Sequence, residues 1–160
     1  MTSKPQAARA EQRSRRSAAR LAAVQALYQH ASTGTPLAKL LSEFHDHRLG
    51  AEIDGATFHD ADRAFFDDIV SGAIVRIADL DMAITRFLAP GWTLGRLDRL
   101  MHQLLRMGAY ELMARADVPA AVIISEYVDV ARAFYGQGES GFVNALLDGL
   151  ARDVRATPAA

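Results

Sequence analysis

The stretch from Leu97 to Met113, LDRLMHQLLRMGAYELM, carries apolar side chains around too much of a helical circumference for one side to be left in water. Leu97, Met101, Leu104, Gly108 and Leu112 follow at steps of three and four, and Leu100, Leu105 and Met107 widen that stripe beyond the usual half-buried face. Such a helix must be covered by neighbours on several sides, so it is expected at the centre of a helical packing. Gly108 costs about 1 kcal/mol of helix propensity relative to Ala, and it lets a neighbouring helix backbone come close.

The remaining chain reads as further helices joined by short turns. From Arg13 to Ala31, Leu21, Val24, Leu27 and Tyr28 mark an apolar side, and Arg13, Arg16 and Arg20 share another at i, i+3 and i+7. Ser32-Thr33-Gly34 stops that helix, and Thr35-Pro36 opens a short one bearing Leu37, Leu40, Leu41 and Phe44. Leu49 to Phe58 reads as a loop. Asp60 or Asp62 then caps a long helix through Ala89, with Phe66, Ile69, Ala73, Ile77, Leu80, Ile84 and Phe87 on its buried face, and Pro90-Gly91 ends it. Trp92 follows the stop and is expected to cap a core. After the central helix, Pro119 opens a helix to about Tyr135, and a last one carries Phe142, Val143, Leu146, Leu147 and Leu150. No segment sustains period-two alternation, so the class is all-α, a bundle of about six to seven helices.

A chain of 160 residues with half of them apolar is the size of one domain. We expect residues 1–12 to be a disordered basic arm when free and residues 13–155 to form a single helical domain. There is no cysteine, which excludes disulfides, thiolate zinc sites and cysteine nucleophiles and fits a reduced, cytoplasmic setting. No apolar run reaches membrane-spanning length, so no membrane association is expected. The net charge of −1 hides an asymmetry. Lys4, Arg9, Arg13, Arg15, Arg16 and Arg20 face Glu11 alone in the first thirty residues, whereas acids outnumber Arg48, Arg63 and Arg76 between residues 41 and 82. A basic start on an acidic domain is a footprint of nucleic-acid binding and equally of a solvated tail. Asp67, Asp68, Asp79 and Asp81 read either as a solubilising face or as a docking surface for a basic protein.

Chemical motifs are sparse. Gly136, Gly138 and Gly141 spell G-x-G-x-x-G, but a helix precedes them and no βαβ unit surrounds them, so the dinucleotide reading fails. What survives is a glycine-bearing turn whose backbone N–H groups can face an anion, or a plain helix connection. His45, His47 and His59 invite a metal reading, yet His45 and His47 at i, i+2 point apart on a helix, so no metal site is expected. There is no P-loop, no G-x-S-x-G and no H-E-x-x-H, and Ser125, Glu126 and His102 lack any catalytic spacing. The reading is of a non-enzyme without a cofactor.

Four stretches together resemble one family. Ala23-Val24-Gln25-Ala26-Leu27-Tyr28 after an arginine-rich start, Leu105-Arg106-Met107-Gly108-Ala109-Tyr110-Glu111-Leu112, Asp117-Val118-Pro119, and Phe142-Val143-Asn144-Ala145-Leu146-Leu147-Asp148 are similar, in order and spacing, to the bacterial NusB family of transcription antitermination factors. The resemblance implies two three-helix halves and a role in which the protein pairs with the small-subunit ribosomal protein NusE. The pair would bind single-stranded boxA RNA in nascent ribosomal-RNA transcripts and join RNA polymerase with other Nus factors. A homodimer that hides the basic face is a further possibility of the family. By position, Arg16 and Arg20 match its basic first helix, with Arg13 in support, while Ser17 and Ala18 stand where other members carry more arginine. Phe142 matches an aromatic associated with RNA, and Gly138 and Ser140 lie in the loop before it, where backbone donors would replace charged side chains. Tyr28 matches a tyrosine near the NusE surface. Met101 stands in place of an acid there, a contact that Asp98 would take over. Two alternatives remain open: a helical protein-interaction module without RNA affinity, and a detached fragment of an RNA methyltransferase carrying a NusB-like domain.

Overall fold

The structure is a computed structural model that describes residues 3–49, 52–53, 56–57 and 61–155. His59, Asp60 and the glycines at 50 and 55 in the expected loop lie outside the described residues. Among the described residues are seven α-helices: α1 (Lys4–Thr33), α2 (Leu37–His47), α3 (Arg63–Val75), α4 (Ile77–Arg86), α5 (Arg99–Ala114), α6 (Ala120–Phe134) and α7 (Gln137–Val154). A 3-10 turn, Leu94–Arg96, precedes α5. The expected loop contains a small antiparallel pair, β1 (Glu52–Ile53) with β2 (Ala56–Thr57), registered Glu52 to Thr57 and Ile53 to Ala56. Two residues per strand are too few to leave an alternating pattern in sequence. No helix among the described residues is long and apolar enough to cross a membrane.

The chain divides into two compact units, Met1–Ser71 and Gly72–Ala160. The first holds α1, α2 and most of α3. Helix α1 starts at Lys4, so the segment expected to be disordered is helical from there on. Its start follows from local chemistry: the Ser3 hydroxyl accepts from Gln6 N, the Gln6 side chain accepts from Ser3 N, and Pro5 sits in the first turn. Its end is set by Gly34, whose φ of 70° suits glycine. Ala19, Ala22, Ala23 and Ala26 keep the buried face of α1 flat beside Leu27, and Leu40 and Phe44 of α2 and Phe66 and Ile69 of α3 are equally buried. The Phe44 and Phe66 rings stack at 5.5 Å between centroids. His45 Nε2 is 2.6 Å from Asp67 Oδ1, which commits both side chains within this unit.

Asp62 caps α3 by accepting from Phe65 N at 3.0 Å. The long helix expected through Ala89 is broken at Arg76, whose φ of −111° and ψ of 20° separate α3 from α4. Arg76 N bonds Ala73 O, one residue nearer than in an α-helix, and this single tightened turn leaves the three-and-four spacing of Ala73, Ile77 and Leu80 uninterrupted.

In the second unit α5 packs against α4, α6 and α7, the central position expected from its all-round apolar surface. Met101, Leu104, Leu105, Met107 and Leu112 are all buried. At Gly108 it is a side chain that comes close: a Cβ there would lie 2.8 Å from Leu147 Cδ1 of α7. The buried Glu111 carboxylate accepts from the Tyr127 hydroxyl at 2.5 Å, pinning α6 to α5. The C-terminal end of α5 is closed by Arg155, whose guanidinium donates to Leu112 O, Val118 O, Glu111 O and Arg115 O at 2.7 to 3.2 Å. A cation on carbonyls at the end of a helix adds hydrogen bonds there and suits the negative end of the helix dipole. Arg155→Met is expected to lower stability by about 1–2 kcal/mol, seen as a shift of the urea midpoint with unchanged slope.

Candidate nucleic-acid interface

The arginines of α1 form one stripe. Because the helix continues to Lys4, Arg9 joins Arg13, Arg16 and Arg20 at i, i+4, i+7 and i+11, over about 16 Å at 1.5 Å per residue. Burial grades along the stripe. Arg9 and Arg13 are exposed, Arg16 is half-buried, and Arg20 is only 2% exposed. The guanidinium carbons of Arg16 and Arg20 lie 4.7 and 4.9 Å from the centroid of the buried Phe65 ring, so a single aromatic ring holds both cations. Asp62 gathers the same region: its Oδ2 accepts from Gln12 Nε2 at 3.0 Å and lies 3.9 Å from Arg16 Nε, and its backbone N–H donates to Arg15 O. Arg20, expected on a phosphate-facing surface, is thus an interior residue. The helical spacing that aligns it with Arg13 also carries it under α3, and no local pattern records that cover.

In the second unit, Asp98, Met101, Gly138 and Phe142, expected at two different surfaces, line one cleft of about 480 Å³. Trp92, Arg96, Tyr135 and Glu139 share its wall. Trp92, expected to cap a core, is 50% exposed. The Arg96 guanidinium sits 5.2 Å over its ring and donates to Gly91 O at 3.0 Å, which holds the indole in place at the surface. Asp98 caps α5 by accepting from Met101 N, and the same oxygen accepts from the Tyr135 hydroxyl. Burial, and then this carboxylate, push the Tyr135 phenol well above its ordinary pKa. Met101 is only 5% exposed, so little of it is open to a partner beyond the cleft wall.

Ser140 and the glycines before Phe142 differ from a loop. Helix α7 begins at Gln137, so Gly138, Ser140 and Gly141 are in its first turns. Ser140 is buried and its hydroxyl donates to Gln137 O at 2.9 Å, which turns it inward. Gly138 and Gly141 have open space where a Cβ would go and no positive φ, so the backbone does not demand glycine there. Phe142 is half-buried at the cleft, and Tyr28 in the first unit is 42% exposed. Of the acids read as a docking face, Asp67 is taken by His45 and Asp81 by His102 and Arg106. Sequence reasoning missed Arg9, Arg96 and Tyr135. For Arg9 a signal existed: Ser3-x-x-Gln6 with Pro5 is a helix start that places it in register.

Fold and surfaces together define a small α-helical binding protein, with a cationic helix on one unit and an aromatic cleft on the other. Residues 17–152 match the NusB family, and the chain belongs to that family. It is 59% identical over 140 residues to the transcription antitermination protein NusB of Sphingopyxis alaskensis, an alignment covering 88% of this chain and 94% of the relative. It is also 59% identical over 140 residues to the corresponding protein of Novosphingobium aromaticivorans, covering 88% and 95%. Among solved structures, NusB of T. maritima superposes with a TM-score of 0.70 at 28% identity, covering 86% of this chain and 91% of that one. A chain from a complex of the antitermination factors NusB and NusE with double-stranded RNA shares the fold, with a TM-score of 0.72 at 21% identity over 86% and 96%.

Proposed function

We propose that this protein is a transcription antitermination factor that acts without catalysis, binding boxA-type single-stranded RNA in nascent ribosomal-RNA transcripts together with the ribosomal protein NusE. The work takes place in the cytoplasm, on the transcript as RNA polymerase and the other Nus factors handle it. The observation that carries the reading is the cationic stripe on the exposed part of α1. Arg9, Arg13 and the outer edge of Arg16 neutralise phosphates, and Arg20 stiffens the helix from inside through Phe65. Phe142 supplies a surface for a base. Tyr28 and Asp98 are the side chains we assign to the partner protein. The names of the curated relatives support the antitermination role.

The test is fluorescence anisotropy of a labelled boxA RNA and a scrambled control, with this protein alone and with NusE, at several salt concentrations. Tighter binding of boxA in the presence of NusE, with no gain on the scramble, is the expected result. Arg13→Ala should lower affinity on both RNAs and reduce the salt slope by about 0.7 while leaving the melting temperature unchanged. Arg20→Ala should do the reverse and act on stability. Binding of NusE with no RNA affinity under any condition would leave a protein-interaction module.

A further inference from the structure

Resting on the RNA reading above, we infer that Gln12 and Asp62 are positioning residues that set how free Arg16 is to bind a phosphate. Asp62 restrains the guanidinium by charge, and Gln12, by occupying the carboxylate, keeps that restraint from becoming a hydrogen bond. The three side chains lie in the first unit, Gln12 and Arg16 one turn apart on α1 and Asp62 at the start of α3. Asp62 Oδ1 accepts from Phe65 N at 3.0 Å, and Oδ2 accepts from Gln12 Nε2 at 3.0 Å. Arg16 Nε stands 3.9 Å from that same Oδ2, inside the reach of its charge and beyond a hydrogen bond.

The result is an arginine whose hydrogen bonding is incomplete. Among the described residues, its Nε is buried with no hydrogen-bond partner, an arrangement that disfavours the resting position. The Phe65 ring, 4.7 Å from the guanidinium carbon, holds the side chain by its face and leaves the edges of the fork to other partners. The side chain keeps 29% of its surface in water. A phosphate arriving there offers charge-assisted bonds of about 2.7–2.9 Å, against one ion pair at 3.9 Å. Arg16 therefore leaves Asp62 readily. Without the Gln12 amide, Oδ2 is open to the guanidinium, and a phosphate has to displace a charge-assisted hydrogen bond rather than a loose pair.

The test is the anisotropy titration on boxA and scrambled RNA at low salt, with thermal melts by circular dichroism to set misfolding apart. Asp62→Asn removes the charge and keeps the cap, since asparagine accepts at a helix start as well as aspartate does. It should tighten both RNAs roughly two- to fivefold. Asp46→Asn, which removes the same charge from an exposed position on α2, should do much less. Gln12→Ala should act in the opposite direction, weakening both RNAs by a similar factor and moving the salt slope toward that of Arg16→Ala. In an Asp62→Asn background that loss should vanish. A second readout needs no RNA: by NMR, the Arg16 Nε–H should exchange with water more slowly in Gln12→Ala than in wild type. Equal losses from Gln12→Ala in both backgrounds would mean that Gln12 touches the RNA itself, and would overturn the inference. So would an Asp62→Asn protein that binds no tighter than wild type. RNA binding that neither substitution changes would remove this inference and spare the RNA reading, whereas a wild type with no RNA affinity would remove both.

Discussion

Gly72→Ala is expected to destabilise the protein by about 3 kcal/mol, lowering its melting temperature by roughly 10 °C. The substitution is ordinarily favourable in a helix by about 1 kcal/mol. Here it is not, because a Cβ at this position of α3 would fall on the phenol of Tyr110, inside contact distance of its hydroxyl and Cζ and 2.5 Å from Cε2. Tyr110 has nowhere to go: it is 5% exposed, on the central helix, with the Arg76 guanidinium 5.7 Å from its ring centroid. Rigid aromatic atoms cannot give way as the end of a leucine can. Calorimetry on a double-mutant cycle checks the cause. In a Tyr110→Leu background, Gly72→Ala should cost nothing or stabilise slightly, and an undiminished cost there would mean the clash is not the reason.

Asp81→Ala is the second large effect, about 3–5 kcal/mol, because it strands a charge. Arg106 on α5 is bound by both carboxylate oxygens of Asp81 on α4, at 2.9 and 2.7 Å, and also donates to Gln103 at 3.1 Å. His102 Nε2 adds a third contact to Asp81 at 2.8 Å. With its side chain only 12% exposed, Arg106 cannot recover water when the carboxylate is removed. The same geometry sets a pH dependence. Burial pushes the Asp81 pKa up, but hydrogen bonds and charge from Arg106 and His102 outweigh it, and the net shift is downward. The unfolded chain therefore binds this proton more readily than the folded one. The contribution is complete above the unfolded value of about 4 and is lost as pH falls through the lower folded value. Urea unfolding between pH 6 and pH 2 should show wild type losing stability on this limb. Asp81→Asn should be less stable at neutral pH, with the gap closing as the pH drops; a gap independent of pH would sink the assignment.

Periodicity located the helical faces well because a helix writes its buried side into the sequence every three to four residues. Leu104, Leu105, Met107 and Leu112, marked by that spacing, are all buried. The start of α1 escaped it because residues 4–12 have no apolar face to repeat, and the Ser3 capping box with Pro5 is the local mark of where the helix begins. The break at Arg76 escaped for the opposite reason, since the tightened turn preserves the repeat on either side. Among candidate site residues, Arg13 and Tyr28 are exposed, whereas Arg20, Ser140 and Met101 are buried. Trp92 went the other way, from an expected core cap to a half-exposed ring.

By itself the sequence determined the all-α class, the central place of α5 and the arginine register of α1, because each follows from side chains a few residues apart on one element. Only the tertiary structure decided which arginines of that register remain in water, and that Trp92, Asp98 and Phe142 share one cleft. Those outcomes depend on what covers each surface from elsewhere in the chain. Phe65 lies over Arg16 and Arg20, and Arg96 over Trp92, and such pairings are set by packing geometry that no short stretch of sequence contains.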